Sequence, residues 1–417
     1  MTALGCIADD YTGATDVAAA LRGAGMRVVL LFGLPSRTEI PLCDAVVVGL
    51  KTRTSPVREA IRQSVMVREW LKQRGVDQLY FKYCSTFDST GDGNIGPVAD
   101  ALLDAEHQVM TLVCPASPEH GRTIYCGHLF VGESLLSESS MRYHPLTPMR
   151  DSNLVRVLSH QTPHPVALLP LDVIRSGLGA VKARLISLEK QGVRHVVVDA
   201  TEEADLRTVA TAARGMSLLT GAAGLARALA VVKSRALTAR NHEPVDIPRG
   251  SGIILAGSCS ATTLSQVAFA KRSLPSYRLD PVATPDGEKM KGAALAWLQL
   301  NWKDGPLMVY SSAGPEERRE ARTAMGPQTA DILEDALGSV AEAAVRLGAR
   351  RVVVAGGETA GAVVSRLGID MVSIASEEDA GVPWCVTTDQ TPLALLLKSG
   401  NFGTDDLLVR AAKAAGR

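Results

Sequence analysis

Residues 4–16 read LGCIADDYTGATD, a short apolar run followed by two adjacent carboxylates and a turn that contains glycine. Similar apolar runs recur along the chain, separated by segments of helical period, which is typical of βαβ units with a largely parallel sheet. Ser55 and Pro56 predict the start of one intervening helix, with Ser as its cap and Pro in its first turn. In the first half the predicted strands are Leu4–Ala8, Val28–Phe32, Ala45–Gly49, Leu79–Lys82, Val109–Cys114, Val166–Leu169, His195–Asp199 and Ser217–Thr220.

Around residues 234–250 the chain loses this period and reads KSRALTARNHEPVDIPRG. We interpret this charged, proline-containing stretch as a linker, because a chain of 417 residues exceeds what one hydrophobic core usually organises. The sequence therefore predicts two α/β domains, residues 1–238 and 251–417, joined by a linker at 239–250. Each is expected to be a mainly parallel sheet flanked by helices. In the second half the predicted strands are Gly252–Ala256, Tyr277–Leu279, Leu307–Tyr310, Arg351–Ala355, Met371–Ile374 and Leu393–Lys398, and helices are predicted from about Ala261, to about Trp302, through 330–347 and from Thr359.

The overall composition excludes several classes of protein. Apolar residues make up 46% of the chain and 44 basic side chains balance 44 acidic ones, so no global positive field draws it to nucleic acid or to an anionic membrane. No apolar run is long enough to cross a bilayer and the N-terminus has no signal-peptide pattern, so we expect a cytoplasmic protein. Seven scattered cysteines indicate reduced thiols, and the spacing of Cys114, His120, Cys126 and His128 fits no common structural zinc site.

Asp9 and Asp10 directly follow the first predicted strand. Ligands of open α/β sheets bind at the carboxyl ends of strands, where carboxylates can accept hydrogen bonds from substrate hydroxyls, hold Mg²⁺ or take a proton. Helix capping is the alternative for either Asp, although a pair is more than capping requires.

Arg53 and Lys82 follow two further strands, the second of which leads into KYCSTFDSTGDGN at residues 82–94. A guanidinium can grip a substrate carboxylate through two hydrogen bonds, and an ammonium can neutralise charge. Both residues are alternatively solvated surface cations. The long polar excursion at residues 114–153 is either a functional loop or a surface hairpin or dimer arm, which leaves a homodimer open.

Three glycine-containing turns follow predicted strands of the second half: GSCSATT at 257–263, GGETAG at 356–361 and KSGNFG at 398–403. Backbone N–H groups at such turns bind phosphate without any lysine, although glycine also occurs there for backbone reasons alone. The common NTPase, dehydrogenase, hydrolase and metalloprotease motifs are absent from the sequence.

As a set, these stretches resemble the four-carbon acid sugar kinase family, which includes 3-oxo-tetronate, threonate and erythronate kinases. The resemblance covers essentially the whole chain and rests on ADDYTGATD, KYCSTFDSTGDGNIGP, GSCSATT, GGETAGA and LKSGNFG. It implies an acid-sugar-binding N-terminal domain, an ATP-binding C-terminal domain and an active site in the cleft between them. The stretches PASPEHGRTIYCGHLFVGE and HPLTPMRDSNL are most similar to the 3-oxo-tetronate branch, which implies phosphorylation of 3-dehydro-tetronate at its 4-hydroxyl. Threonate or erythronate 4-kinase remains the alternative.

Position by position, the resemblance implies roles for three sets of residues, with Mg²⁺ accompanying ATP at ligands that are not identified. Asp92 departs from the family pattern and is given no role. The expected catalytic residues are Asp9, Asp10 and Asp88, the expected sugar-binding residues are Arg53, Lys82, Ser89 and Arg122, and the expected ATP-binding residues are Ser258, Gly356, Gly357, Glu358, Thr359, Gly400 and Gly403.

Two functions of other classes stay open on the sequence. A non-catalytic sensor of sugar acids would keep the polar loops of the first domain but would have little need for glycine-rich turns in the second. An isomerase or aldolase-like enzyme would use Lys82 as a Schiff-base amine, which requires a depressed lysine pKa.

Overall fold

The structure is a computed structural model that describes residues 3–37, 39–144, 146–234, 245–303 and 305–413. Contacts divide the chain into two units, Met1–His242 and Glu243–Arg417. Part of the predicted linker, residues 239–244, lies outside the described residues, and the boundaries at 238 and 251 stay predictions. The interdomain position of the active site also stays a prediction.

The first unit is built on an eight-stranded parallel sheet with the order β2-β3-β1-β4-β11-β5-β10-β9. Strands β6, β7 and β8 form a separate antiparallel sheet. The strands are β1 (Leu4–Ala8), β2 (Val28–Phe32), β3 (Ala45–Gly49), β4 (Gln78–Lys82), β5 (Thr111–Cys114), β6 (Arg122–Tyr125), β7 (His128–Val131), β8 (Ser134–Leu135), β9 (Val166–Leu169), β10 (His195–Val198) and β11 (Leu218–Gly221).

Helices of this unit follow the strands in the alternation that the sequence predicts. Short 3-10 helices lie at Pro118–His120, Leu136–Glu138 and Ser140–Tyr143. The α-helices are α1 (Tyr11–Gly23), α2 (Val57–Lys72), α3 (Ile95–Glu106), α4 (Leu154–Ser159), α5 (Leu171–Arg175), α6 (Leu178–Lys190), α7 (Glu203–Ala212) and α8 (Ala223–Ser234).

The second unit has the strand order β13-β14-β12-β15-β18-β17-β16, parallel except that β17 runs antiparallel to both of its neighbours. Its strands are β12 (Gly252–Ala256), β13 (Ser276–Arg278), β14 (Leu307–Tyr310), β15 (Arg351–Ala355), β16 (Met371–Asp379), β17 (Val382–Thr387) and β18 (Ala394–Lys398). Its helices are α9 (Ala261–Ala270), α10 (Gly287–Asn301), α11 (Pro315–Met325), α12 (Thr329–Arg346), α13 (Gly357–Arg366) and α14 (Leu407–Lys413).

The register of the parallel strands brings the predicted site residues to one edge of each sheet. Ala8 of β1 lies opposite both Gly49 of β3 and Lys82 of β4, so the loops that follow these three strands start side by side. In the second unit Ala355 of β15 lies opposite both Ala256 of β12 and Lys398 of β18. Its three glycine-containing turns therefore also start at one edge.

The predicted fold class, two α/β domains with mainly parallel sheets flanked by helices, is confirmed. The buried strands read as continuous apolar runs because helices cover both faces of a parallel sheet. The long excursion contains the β6–β8 hairpin sheet, and its role as a dimer arm stays a prediction. In the described ranges no helix combines the length and apolar composition that a membrane span requires.

Some local predictions are wrong for identifiable reasons. Ser55 does not cap α2: its hydroxyl donates to the carbonyl of Thr52, and Pro56 occupies the cap position without a side-chain hydrogen bond. Strand β17 was not predicted, since Pro383 within its sequence argues against a strand. Helix α13 begins at Gly357 rather than Thr359, because glycine is accepted in a helix's first turn.

Candidate active-site residues of the two units

Arg53 lies among the three predicted catalytic carboxylates of the first unit. Its Nε and Nη2 donate to the two oxygens of Asp9 at 2.9 and 2.8 Å. The same Nη2 lies 2.8 Å from Asp10 Oδ1, and Nη1 lies 3.8 Å from Asp88 Oδ2. The structure therefore brings Asp9, Asp10, Asp88 and Arg53 together, as the sequence predicts.

Asp10 caps a helix and pairs with a cation at the same time. Its carboxylate accepts hydrogen bonds from the Gly13 amide at 2.8 Å and from the Thr12 hydroxyl at 3.0 Å, at the N-terminus of α1. A Cβ atom at Gly13 would stand 2.3 Å from Asp10 Oδ1, so glycine is needed for this close approach. The capping alternative and the functional interpretation of Asp10 are thus compatible.

Lys82 is buried beside this cluster, with 2% of its side chain exposed. Its Nζ donates to the Tyr83 carbonyl at 3.1 Å and lies 3.4 Å from Asp16 Oδ2. The surface-cation alternative for Lys82 is therefore wrong. Asp16 was missed, although it stands in the same sequence motif as Asp9 and Asp10.

Neutral side chains donate hydrogen bonds to Asp88 and Ser89. The Thr86 hydroxyl donates to Asp88 Oδ1 at 2.6 Å, and Gln161 Nε2 donates to Ser89 Oγ at 2.9 Å. Phe87 has a φ of 62°, which is rare for a bulky residue, and its ring is fully buried. Such backbone strain costs about 1–3 kcal/mol and is held only where the surroundings fix it. The buried Phe87 therefore fixes the backbone beside Asp88, while the Thr86 hydroxyl orients the Asp88 carboxylate.

Asn94 fastens the loop that carries Arg53. Its Nδ2 lies 2.7, 3.2 and 2.9 Å from the carbonyls of Thr52, Arg53 and Ser55. Asn94 also lines a recess of about 10 Å³ with Asp9, Arg53 and Asp88, and such a volume holds about one water-sized group. Asn94 was not among the predicted site residues; its only sequence signal is its place in the polar run after β4.

Burial and neighbouring charges push the titration of Asp9 and Asp10 apart. Burial raises the pKa of Asp9 above its usual value, and Arg53 offsets this only in part. Burial opposes ionisation of Asp10 too, but Arg53, Lys82 and the hydrogen bonds from Gly13 and Thr12 together outweigh it, so the pKa of Asp10 is lowered. Burial acts to lower the pKa of Lys82, yet Asp16 and Asp10 raise it above its usual value. Lys82 thus lacks the depressed pKa that a Schiff-base amine requires.

Arg122 lies at the start of β6, where Nη1 donates to the His120 carbonyl. Among the described contacts none joins Arg122 to the cluster around Arg53, so its sugar-binding role stays a prediction. No three His, Cys, Asp or Glu side chains of the described part of the chain are arranged to hold a metal ion. The described side chains therefore do not identify the ligands of Mg²⁺.

The three glycine-containing turns of the second unit touch one another. A Cβ at Gly257 would stand 2.1 Å from Thr359 Oγ1, and one at Gly400 would stand 2.5 Å from Ser258 Oγ. Gly356 adopts a φ of 132°, a conformation that favours glycine. The structure thus brings Ser258, Gly356, Thr359 and Gly400 together, as predicted.

Helix α13 begins at this edge without a side-chain cap. The N–H groups of Gly357, Glu358 and Thr359 have no hydrogen-bond acceptor among the described residues. Unsatisfied N–H groups at the start of a ten-residue helix, together with the helix dipole, attract an anion. The side chain of Glu358 is exposed, so its backbone rather than its carboxylate suits this role.

Side chains of α9 hold the last glycine turn in place. The Ser260 and Thr263 hydroxyls donate to the Gly400 carbonyl at 2.6 and 2.9 Å. Further along, Gln266 Nε2 lies 3.1 Å from the Gly403 carbonyl, and Gly403 has a φ of 84°. Ser260, Thr263 and Gln266 were not predicted as site residues, although the first two stand in the quoted motif.

A cavity of about 500 Å³ adjoins these turns within the second unit. Gly257, Cys259 and Thr359 line the end next to the turns. The charged part of the lining has both signs: Arg278, Arg318 and Arg322, and Asp280, Glu317, Glu320 and Glu334. Its volume lies in the range of small-ligand sites. The apolar part of the wall includes Leu279, Pro281, Val282, Ala313, Pro327 and Leu333.

Family models match both halves of the chain. A sugar-binding N-terminal domain matches residues 4–229 and a nucleotide-binding C-terminal domain matches residues 253–408. A curated 3-oxo-tetronate kinase from Burkholderia multivorans is 47% identical over 99% of this chain and 97% of its own length. A curated 3-oxo-tetronate kinase from Pseudomonas fluorescens is 46% identical over 98% of this chain and 96% of its own length.

Solved structures agree with these matches. A Salmonella typhimurium LT2 protein, crystallised under the provisional name of a tRNA synthase, has a TM-score of 0.88 and 39% identity over 99% of both chains. A Haemophilus influenzae protein of the DUF1537 family has a TM-score of 0.79 and 37% identity over 98% of both chains. The predicted resemblance is confirmed, and the chain belongs to the family of four-carbon acid sugar kinases.

Proposed function

We propose that this protein transfers the γ-phosphoryl group of ATP to the 4-hydroxyl of 3-oxo-tetronate. The observation that carries the nucleotide part is the uncapped start of α13, whose three N–H groups face no acceptor in the described residues and lie beside two further glycine turns. The substrate part is supported by the full-length similarity to 3-oxo-tetronate kinases.

The second unit supplies the parts that an ATP site needs. The turns at Ser258, Gly356 and Gly400 would hold the phosphates, because backbone N–H groups and hydroxyls are good phosphate donors. The adjoining cavity of about 500 Å³, with its apolar walls, would take the adenosine part. Thr359 belongs to both regions, so it would lie near the point where the phosphate chain is attached to the ribose.

The first unit would bind the acid sugar at the cluster around Arg53. Arg53 donates to Asp9 through Nε and Nη2, and Nη2 also forms an ion pair with Asp10, while Nη1 has no hydrogen bond among the described residues and approaches Asp88 only at 3.8 Å. This free edge would donate to a carboxylate or hydroxyl oxygen of the sugar. Ser89, whose oxygen accepts a hydrogen bond from Gln161, would donate a hydrogen bond from its hydroxyl to the sugar. Lys82, which is buried, would act through the charge that it places near Asp10.

One carboxylate would align the attacking hydroxyl. The hydroxyl oxygen forms a bond to the γ-phosphorus, the bond to ADP breaks, and the hydroxyl proton passes to the carboxylate. Asp10 is the leading candidate, since a quarter of its side chain is exposed while Asp9 is enclosed by Arg53. Asp88 is the second candidate, since it also lines the recess beside Arg53.

Mg²⁺ is part of this proposal. The carboxylates Asp9, Asp10, Asp16 and Asp88 outnumber the cations Arg53 and Lys82, which fits a divalent cation held by one of them other than the carboxylate that takes the hydroxyl proton. When bound, Mg²⁺ neutralises charge on the nucleotide phosphates. The nucleotide and the sugar must meet for transfer, so the interdomain cleft that the family resemblance implies also belongs to the proposal.

A coupled ADP-release assay with 3-oxo-tetronate, D-threonate and D-erythronate tests the function. We expect turnover that requires Mg²⁺ and is fastest with 3-oxo-tetronate. Asp10→Asn should lower kcat at least about 100-fold, whereas Asp92→Asn, the same change at an exposed carboxylate without an assigned role, should not. Binding of the sugars without ADP release would favour the sensor, and no response to any of them would refute the kinase proposal for this substrate class.

A further inference from the structure

Lys398 is a fully buried lysine beneath the glycine turns of the second unit. Its Nζ donates to Thr263 Oγ1 at 2.9 Å and to the Gly400 carbonyl at 3.0 Å. Both acceptors are neutral. A neutral amine has two N–H bonds, which is the number these two acceptors can use. A third proton on Lys398 would have no acceptor among the described side chains and backbone groups.

Nothing in the described surroundings balances a positive charge on Lys398. Helix α9, which provides Thr263, has no ionisable side chain. No carboxylate of the described residues lies within ion-pair distance, and burial alone lowers the pKa of Lys398 to about 7. The ionisable groups on the other elements packed against β18 are Arg351 at the far end of β15, the neutral buried thiol of Cys385 on β17, and on α13 the exposed Glu358 and the distant Arg366.

The neighbouring backbone adds to the demand for an anion. Helices α9 and α13 both begin at this edge, so the positive ends of both helix dipoles lie at the turns that Lys398 supports. Lys398 holds Gly400 by a hydrogen bond, and a Cβ atom added at Gly400 would collide with Ser258. A ligand anion at these turns is the charge that this arrangement lacks.

We propose that Lys398 is a proton-coupled positioning residue, which takes up a proton from solvent when the phosphates of the nucleotide bind at the Ser258 and Gly400 turns. The lone pair of the amine accepts this proton, and the new N–H bond points to the phosphates while the other two keep Gly400 in place. This inference rests on the proposed nucleotide site and adds to it a coupling between nucleotide binding and pH.

The sign of the coupling follows from linkage. An anion near the amine raises the pKa of Lys398 in the complex above its value in the free protein. Nucleotide affinity is then greatest below the pKa of the free protein, about 7, and falls as the pH rises between the free and bound values. With a bound value well above 8.5, we expect the affinity to fall about eightfold between pH 7.5 and 8.5.

Titration calorimetry of the full chain with a non-hydrolysable ATP analogue tests this directly. Measured at pH 8 with saturating Mg²⁺, in two buffers of different ionisation heat, binding should take up close to one proton per nucleotide. In Lys398→Arg, which keeps a permanent charge, we expect no proton uptake and an affinity that does not vary between pH 7.5 and 8.5. Lys271→Arg, the same change at an exposed lysine after α9, should behave as the wild type.

Each outcome decides the question. Nucleotide binding by the wild type without proton uptake would make Lys398 a purely structural residue and leave the kinase proposal intact. Uptake that persists in Lys398→Arg would assign the proton to another group. If the wild type binds no nucleotide, the proposed function and this inference both fail. If Lys398→Arg does not fold, two measurements still test the proposal. These are the number of protons that the wild type takes up and the nucleotide affinity of Lys398→Met, which we expect not to vary with pH.

Discussion

Replacement of Arg53 by Met should destabilise the first unit and make its stability depend strongly on pH. Arg53 gives Asp9 two hydrogen bonds, at 2.9 and 2.8 Å, and Asp9 is only 5% exposed. Removing one partner of a buried ion pair costs about 3–5 kcal/mol, because the other charge stays behind without compensation. Because 22% of the Arg53 side chain is exposed, solvent weakens this effect. We therefore expect the free energy of unfolding to fall by about 2–3 kcal/mol at pH 7.5.

The pH dependence follows from the fate of Asp9 in this variant. Without Arg53, burial raises the pKa of Asp9 further above that of the unfolded chain. The folded state then binds more protons than the unfolded state, so stability is greatest at low pH and falls as the pH rises. We therefore expect Arg53→Met to lose less stability at pH 5.5 than at pH 7.5. The double variant Asp9→Asn, Arg53→Met should recover about 1–2 kcal/mol at pH 7.5.

Hydrogen exchange read by mass spectrometry suits this test, because it resolves the two units within one chain. Peptides from β1 and β4 should lose protection, while peptides from β14 of the second unit serve as an internal reference. Arg62→Met is the matched control: Arg62 also gives two hydrogen bonds to one carboxylate, that of Glu59, but both side chains are exposed. Its loss should leave protection unchanged. Equal effects of Arg53→Met and Arg62→Met, or a pH dependence of the opposite sign, would refute the reasoning.

Three further substitutions test how the turns are held. Asn94→Ala should lower the free energy of unfolding by about 1–3 kcal/mol, because buried carbonyls of the Arg53 loop lose their donor. It should also raise KM for the sugar more than KM for ATP, and a change in KM for ATP alone would contradict this. Gly400→Ala should weaken binding of an ATP analogue at least about tenfold, because the added Cβ collides with Ser258. The control Gly292→Ala, whose added Cβ on α10 meets open space, should bind the analogue normally in the same calorimetric titration. Ser260→Ala should lower the free energy of unfolding by about 1 kcal/mol by removing the cap of α9, as urea denaturation would measure.

The strand ends could be predicted from the sequence because local patterns determine them. Strands such as Val28–Phe32 are buried on both faces, so they appear as unbroken apolar runs, and the polar residues that follow must lie at one edge of a parallel sheet. The glycines at 257, 356 and 400 were found for a similar reason, since their role depends on the turns themselves.

The depth and partners of the charged residues could not be predicted. Nothing local distinguishes Lys82, which is 2% exposed, from an ordinary lysine at a strand end. The sequence predicts that the Arg53 guanidinium grips a substrate carboxylate, but its Nε and Nη2 already donate to Asp9, and Nη2 also lies 2.8 Å from Asp10. Such pairings join residues far apart in the chain, so they become visible only when the register of the strands is known.

Two amides that the sequence does not single out as site residues have the same role. Asn94 places its Nδ2 within 3.2 Å of three carbonyls of the loop after β3, and Gln266 places its Nε2 within 3.1 Å of the carbonyls of Phe402, Gly403 and Thr404. Irregular loops expose consecutive carbonyls that no strand or helix can satisfy, and leaving them buried without a donor is costly.

A lysine or arginine could donate to the same carbonyls, but its charge would act on the neighbouring site. Near Arg53 an additional cation would cancel the excess of carboxylates that the proposed Mg²⁺ site needs, and near Lys398 it would lower further the affinity of that amine for a proton. An amide is neutral at every accessible pH, so it fixes the loop without changing the field. In both units, neutral amides hold the loops, and the ionisable residues beside them remain free to set the charge of the site.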